Sequence, residues 1–144
     1  KKFIDEIVLK YPDDKIAILT KTEKEAAILK KIVPNFKLIK DDADDDLLTS
    51  KYTITTIYIS KGLEFDRVIV ANVNQDNYKT LLDRNNLYVA CTRPLHALYI
   101  TYQDKPSKFL PIWVDIIWQK LWLKENQKTK RFWCLKCKFI YRKL

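Results

Sequence analysis

Glycine is almost missing: Gly62 stands alone in 144 residues, where average usage of about 7% would supply roughly ten. A G-x-x-x-x-G-K-[ST] loop cannot be written with one glycine, so the chain carries no phosphate-cradling P-loop of its own. Methionine is missing altogether and the first residue is Lys1, which makes a piece of a longer protein the expectation. Three cysteines without a secretory signal argue against a disulfide framework. No apolar run reaches the 18 residues of a membrane-spanning segment, which leaves the cytoplasm as the expected compartment. With 47% apolar residues the chain can still bury one core, so one domain is the default.

The net charge of +9 is unevenly placed. Residues 120–144 hold nine lysines and arginines against Glu125 alone, whereas the rest holds eighteen basic and seventeen acidic residues. Any inference from net charge to nucleic acid therefore applies to the tail. The remainder must be judged by its motifs.

Strand and helix patterns alternate, as in an α/β fold. Residues 16–19 form a short apolar run of strand length, and Thr22 with Glu25 reads as a capping box opening a helix with Ile28, Leu29, Ile32 and Val33 on one side. Pro34 ends it. Residues 36–39 look like a second strand, and the acidic run 41–46 reads as a solvated turn. Residues 54–59 and 68–73 are β-branched and continuous enough to be strands buried on both faces of a parallel sheet. Between them Lys61-Gly62-Leu63-Glu64-Phe65-Asp66 forms a charged turn whose isolated glycine points to a backbone role at a phosphate or ribose rim. Residues 80–92 read as a helix with Leu81, Leu82, Tyr88 and Val89 apolar and Asp83, Arg84 and Asn85 on a wet side. Pro94 marks its end, and residues 97–102 form a last strand.

The words SKGLEFD (residues 60–66) and LYVACTR (residues 87–93) resemble motifs V and VI of superfamily one helicases of the UvrD/Rep type, and KIAILTKT (residues 15–22) resembles motif IV. The match is closer still to HelD-type proteins, in which AKGLEFD is followed by an NY-containing loop and DRxLLYxACTRALH. Asn77-Tyr78, Asp83-Arg84 and Cys91-Thr92-Arg93-Pro94-Leu95-His96 stand in those places. The resemblance covers about residues 16–110.

It implies the second of two RecA-like domains: a doubly wound, mostly parallel α/β sheet with flanking helices over residues 1–105, then a C-terminal helical and basic extension over 106–144. ATP and Mg²⁺ would bind mainly through an N-terminal RecA-like partner domain of the same protein, with this half alone inactive. Arg93 matches the motif VI arginine that reaches the γ-phosphate across the cleft; a helix-end arginine pairing with the dipole is the plainer alternative. Glu64 matches the motif V glutamate of the ribose and phosphate region, with Lys61 and Gly62 in the same turn. Lys21 stands where UvrD/Rep relatives usually have arginine, and Thr20 where they have an adenine-stacking tyrosine; lysine cannot reproduce an arginine fork. Thr56 and Tyr58 lead into motif V, where family members touch the nucleic-acid backbone; buried strand residues are the equally good alternative. Asp83-Arg84 is read as an intradomain ion pair, His96 as structural, and nothing accounts for Asn85 and Asn86. The implied partner is DNA, single-stranded, with RNA polymerase added for HelD-type members and no membrane. A non-catalytic binding module with a degenerate cleft is the competing class, against which Glu64 and Arg93 together favour a motor.

The last segment departs from the rest. Trp113, Trp118, Trp122 and Trp133 lie there among lysines, a mixture that single-stranded nucleic acid binding uses. Residues 110–124 are expected as an amphipathic helix, and an altered reading frame is the other reading of the last thirty residues. Cys134 and Cys137 form a single CxxC without evident further ligands, so no metal is expected.

Overall fold

A computed structural model describes residues 1–41, 49–110, 131–134 and 139–143. Helix α1 (Lys2–Lys10), which the sequence reading passed over, buries Phe3 and Ile7 one turn apart and carries Asp5 in its first turn and Lys10 in its last, each complementing the helix dipole. Strand β1 (Ile16–Thr20) follows and is buried throughout. Helix α2 (Glu23–Ile32) opens on the expected capping box, in which the Thr22 hydroxyl accepts from Glu25 N and the Glu25 carboxylate accepts from Thr22 N. Its inward line is Ala26, Leu29 and Val33. Ile28 and Ile32, expected on the same side, are exposed.

The expected second strand contracts to β2 (Lys37–Leu38), and most of the acidic run lies outside the described residues. Strand β3 (Tyr52–Thr56) begins and ends earlier than the apolar run suggested. Residues 57–62 form turns instead; Ile57 and Ile59 are apolar because their side chains are buried beneath the crossover, while Tyr58 between them is exposed. Strand β4 (Phe65–Val70) is likewise displaced toward the N-terminus of its predicted range. Helix α3 (Leu81–Cys91) agrees with expectation in extent but not in orientation. Leu81, Leu82 and Tyr88 are exposed, whereas Asp83, Leu87 and Ala90 are buried. Strand β5 (Pro94–Tyr102) starts at the proline that ends the helix. Strands β6 (Arg131–Cys134) and β7 (Phe139–Lys143) extend the sheet from within the segment expected to be a helical and basic extension; the helix expected over 110–124 lies, past Leu110, outside the described residues.

The strand order is β2-β3-β1-β4-β5-β7-β6. Every pairing is parallel except β6 with β7, so the expected doubly wound, mostly parallel sheet is present. Strand β1 is interior, flanked by β3 and β4; the chain steps from β1 out to β2 and then returns across the sheet through β3, β4 and β5. Two cores form on the two faces: α1 and α2 cover Ile16, Ile18, Ile54 and Ile69, and α3 covers Leu19, Val68, Val70 and Ile100. Each fully buried side chain of this size contributes about 1.5–3 kcal/mol. Among the described residues, three take left-handed backbone angles: Gly62 (φ +81°), Asn72 (φ +58°) and Asp104 (φ +54°). With one glycine available, the other two sites fall to the residue types that best tolerate that region.

Candidate nucleotide and nucleic-acid site

Parallel strands give the sheet two unlike edges, and the predicted site residues divide between them. Lys21 follows the C-terminal end of β1 and Thr56 closes β3, level with Thr20. Glu64 and Arg93 instead immediately precede β4 and β5, and Phe65 N donates to Arg93 O at 3.0 Å. Lys21 and Arg93 therefore stand at opposite edges, joined by α3, whose eleven residues span about 16 Å. The crossover over residues 57–64 runs the same distance without a helix.

At the first edge an open pocket of about 550 Å³ lies between the start of α2 and the end of β3, lined among others by Lys21, Thr56 and Tyr58. The Thr56 hydroxyl accepts from Ile59 N and so shapes the turn. Tyr58 is 71% exposed, with Lys61 Nζ 4.7 Å from its ring centre. Lys21 is more constrained: Nζ lies 2.6 Å from Asp83 Oδ1, donates to Asn77 O at 2.5 Å and sits 5.5 Å from the Tyr78 ring centre. Asp83 is the expected intradomain ion pair, and its partner is Lys21. Its other oxygen, Oδ2, accepts from Lys79 N and Thr80 N, both at 2.9 Å. Burial alone works against this charge, but the hydrogen bonds from Lys21 and from the Thr80 and Lys79 amides outweigh it and hold the carboxyl well below its usual range.

Sequence reasoning missed the hub beside this pair. Glu25 Oε1 accepts from Asn72 Nδ2 (2.7 Å) and Asn77 Nδ2 (2.9 Å), while Oε2 accepts from the amides of Lys21 and Thr22. The capping box signalled Glu25, but only as a local cap; its second role depends on asparagines about fifty positions away. Tyr78 is fully buried beneath the loop. Burial first, then the charges of Glu25 and Asp83, push its hydroxyl far above the usual phenol range.

At the second edge Arg93 makes three side-chain hydrogen bonds: Nε to Val89 O at 3.1 Å, Nη1 to Leu63 O at 3.1 Å and Nη2 to Thr92 Oγ1 at 2.9 Å. It thus caps α3 as the plainer reading of a helix-end arginine anticipated, and it also grips the motif V turn. Glu64, exposed, lies within that turn. Gly62 supplies its left-handed step. Cys91, half-buried in α3, has its thiol pushed up to about 12 by burial, which suits packing and not nucleophilic chemistry. His96 pairs with Asp66 at 3.2 Å. Among the described residues no group of three or more His, Cys, Asp or Glu is placed to hold a metal, and no helix is long and apolar enough to cross a membrane.

No curated protein matches the chain. A solved structure described as the C-terminal domain of a possible DNA helicase from Lactobacillus plantarum WCFS1 is similar, with 29% identity and a TM-score of 0.62 over 76% of this chain and 69% of that one. That likeness places the sheet among RecA-like α/β folds. The family model of the UvrD-like helicase C-terminal domain matches residues 9–105, which include all three motif segments. The chain belongs to the UvrD-like helicase C-terminal domain family.

Proposed function

We propose that this chain is the second motor domain of an ATP-dependent DNA helicase or translocase, and that it completes an ATP site, with its Mg²⁺, built mainly by a preceding RecA-like domain. Arg93 is the finger that meets charge developing on the γ-phosphate, while Lys61, Gly62 and Glu64 form the turn facing ribose and phosphates. Thr56 and Tyr58 contact a single strand at the opposite edge. The observation that carries the reading is the junction of motifs V and VI: Arg93 holds Leu63 through its side chain and Phe65 through its carbonyl, so Glu64 is bracketed by Arg93 contacts at one exposed edge. To reach a phosphate, Nη1 must leave Leu63 O. Engagement of the finger thereby loosens the turn next to Tyr58 and Lys61. A HelD-type relation, with RNA polymerase as partner, rests on the sequence words alone.

Arg93→Ala in the complete ATP-hydrolysing protein tests the assignment. Turnover is expected to fall by about a thousandfold or more, with a much smaller change in nucleotide affinity, because the contact is strongest in the transition state. Near-normal turnover would return Arg93 to helix capping and favour the non-catalytic binding module. The 144-residue chain by itself is expected not to hydrolyse ATP, since one glycine cannot make a P-loop.

A further inference from the structure

Lys21 is held at both ends. Its backbone amide donates to Glu25 Oε2 at 3.1 Å, and its ammonium meets Asp83 at 2.6 Å and Asn77 O at 2.5 Å. The Asp83 side chain is 7% exposed and that of Lys21 27%. Drawing Lys21 out toward a phosphate would strand a buried carboxylate, the costly way to break such a pair. Asp83 stands in the first turn of α3, and the helix carries this anchor to the opposite edge, where Arg93 Nε is bonded to Val89 O. A rigid helix fixed at its first turn delivers its last turn to a fixed place.

We infer that Lys21 is a positioning residue for Arg93 and not a nucleotide ligand: through Asp83 it sets where α3 begins, and thereby where the Arg93 guanidinium ends. The kinetic consequence rests on the motor reading above; the structural one does not. Misplacing a catalytic group by about 1 Å costs on the order of a hundredfold in rate. Lys21 and Asp83 act as one unit, so their removals are not additive.

The test uses Lys21→Met, Asp83→Asn, the double variant and Lys21→Arg. In the complete protein, ATP turnover is expected to lose roughly a hundredfold in kcat in either single variant and no more in the double, with KM changed less than about twofold, and Lys21→Arg recovers most of the rate because it keeps the ion pair. In the 144-residue chain, the Arg93 Nε–Hε resonance, assigned by its loss in Arg93→Lys, shifts in Lys21→Met and Asp83→Asn and stays in place in Lys21→Arg. A KM raised tenfold or more by Lys21→Met but not by Asp83→Asn would make Lys21 a ligand contact and overturn the inference. So would additive losses in the double variant, or an unmoved Arg93 resonance. Should Asp83→Asn fail to fold, the two Lys21 variants decide. If the wild-type protein shows no turnover at all, the motor reading fails, and the resonance still decides whether the strut exists.

Discussion

Replacing Gly62 by alanine isolates a backbone effect that feeds directly into the motif V turn. Gly62 sits at φ +81°, and a Cβ built there meets no heavy atom within 4 Å. Contact with neighbours therefore adds nothing to the cost. What remains is the left-handed conformation, which costs an L-residue about 1–2 kcal/mol. Alanine also restricts the unfolded chain, and that alone stabilises by about 0.4–1 kcal/mol. The two oppose each other, and the backbone effect wins by roughly 0.5–1 kcal/mol. In a chain of this length that corresponds to a fall in Tm of roughly 1–4 °C. Urea unfolding at 25 °C reads it as a lower midpoint with an unchanged slope. Gly62→Asn should fall between wild type and alanine, because asparagine tolerates the left-handed region and already occupies it at Asn72. An alanine variant as stable as wild type would show that the turn is not left-handed. A loss beyond about 3 kcal/mol would exceed the backbone cost and require a clash that the open surroundings exclude.

Thr53 is 1% exposed in the middle of β3 and its hydroxyl has no partner among the described residues; Thr53→Val is expected to raise stability by about 1 kcal/mol, and a lower urea midpoint would refute it. Asp83 has a depressed folded pKa, so its contribution is complete at neutral pH, starts to fall as pH drops through the ordinary carboxylate range near about 4, and is lost only on passing the still lower folded value. Asp83→Asn should therefore flatten the acid limb of the stability profile, and parallel acid limbs would count against the buried pair. Oligonucleotide affinity of this chain is expected to reside in the basic tail. Because β7 pairs with β5, the tail is better neutralised than cut: Lys128, Lys130, Lys136 and Lys138 changed to Gln should weaken single-strand binding and flatten a log affinity against log salt slope of roughly −4 for six phosphates by about 0.7 per contact removed. Unchanged anisotropy titrations at two salt concentrations would show that the tail contributes nothing and that the Thr56 and Tyr58 edge alone supplies the affinity.

Legibility followed the range of the physics. The capping box of α2 was readable because both partners lie within three residues, and Pro34 and Pro94 punctuated the helices because a ring acts on its immediate neighbours. The faces of α3 were misread for the opposite reason. Periodicity assigns Asp83 to water, and its burial is made tolerable by Lys21, 62 positions earlier, together with the neighbouring Lys79 and Thr80 amides. Leu81, Leu82 and Tyr88 then take the outside by geometry. Residues 57–59 misled in a related way: an apolar run marks burial, and Ile57 and Ile59 are as buried in the crossover as they would be in a strand, while Tyr58 between them faces outward. The division of Lys21 and Arg93 between two edges follows from the strand bounds: in a parallel sheet the residue that follows β1 and the residue that precedes β5 lie at opposite ends.

That division has a mechanical consequence. Open parallel sheets usually place ligands at the C-terminal ends of their strands, and the pocket beside Lys21, Thr56 and Tyr58 obeys this. Arg93 reaches the other edge because α3 runs antiparallel to the strands it covers. Two of the covalent paths that join the edges, the helix α3 and the crossover of residues 57–64, are tied together at their far ends by the Arg93 contact to Leu63 O. The near ends are also tied, by Lys21 to Asp83 on one path and by the Thr20 level of β1 to Thr56 on the other. A closed circuit of this kind cannot release one corner without loading the others. On the finger reading proposed above, an Arg93 that leaves Leu63 for a phosphate frees the crossover at one edge, and the group that responds at the opposite edge is Tyr58, which Lys61 contacts through its ring.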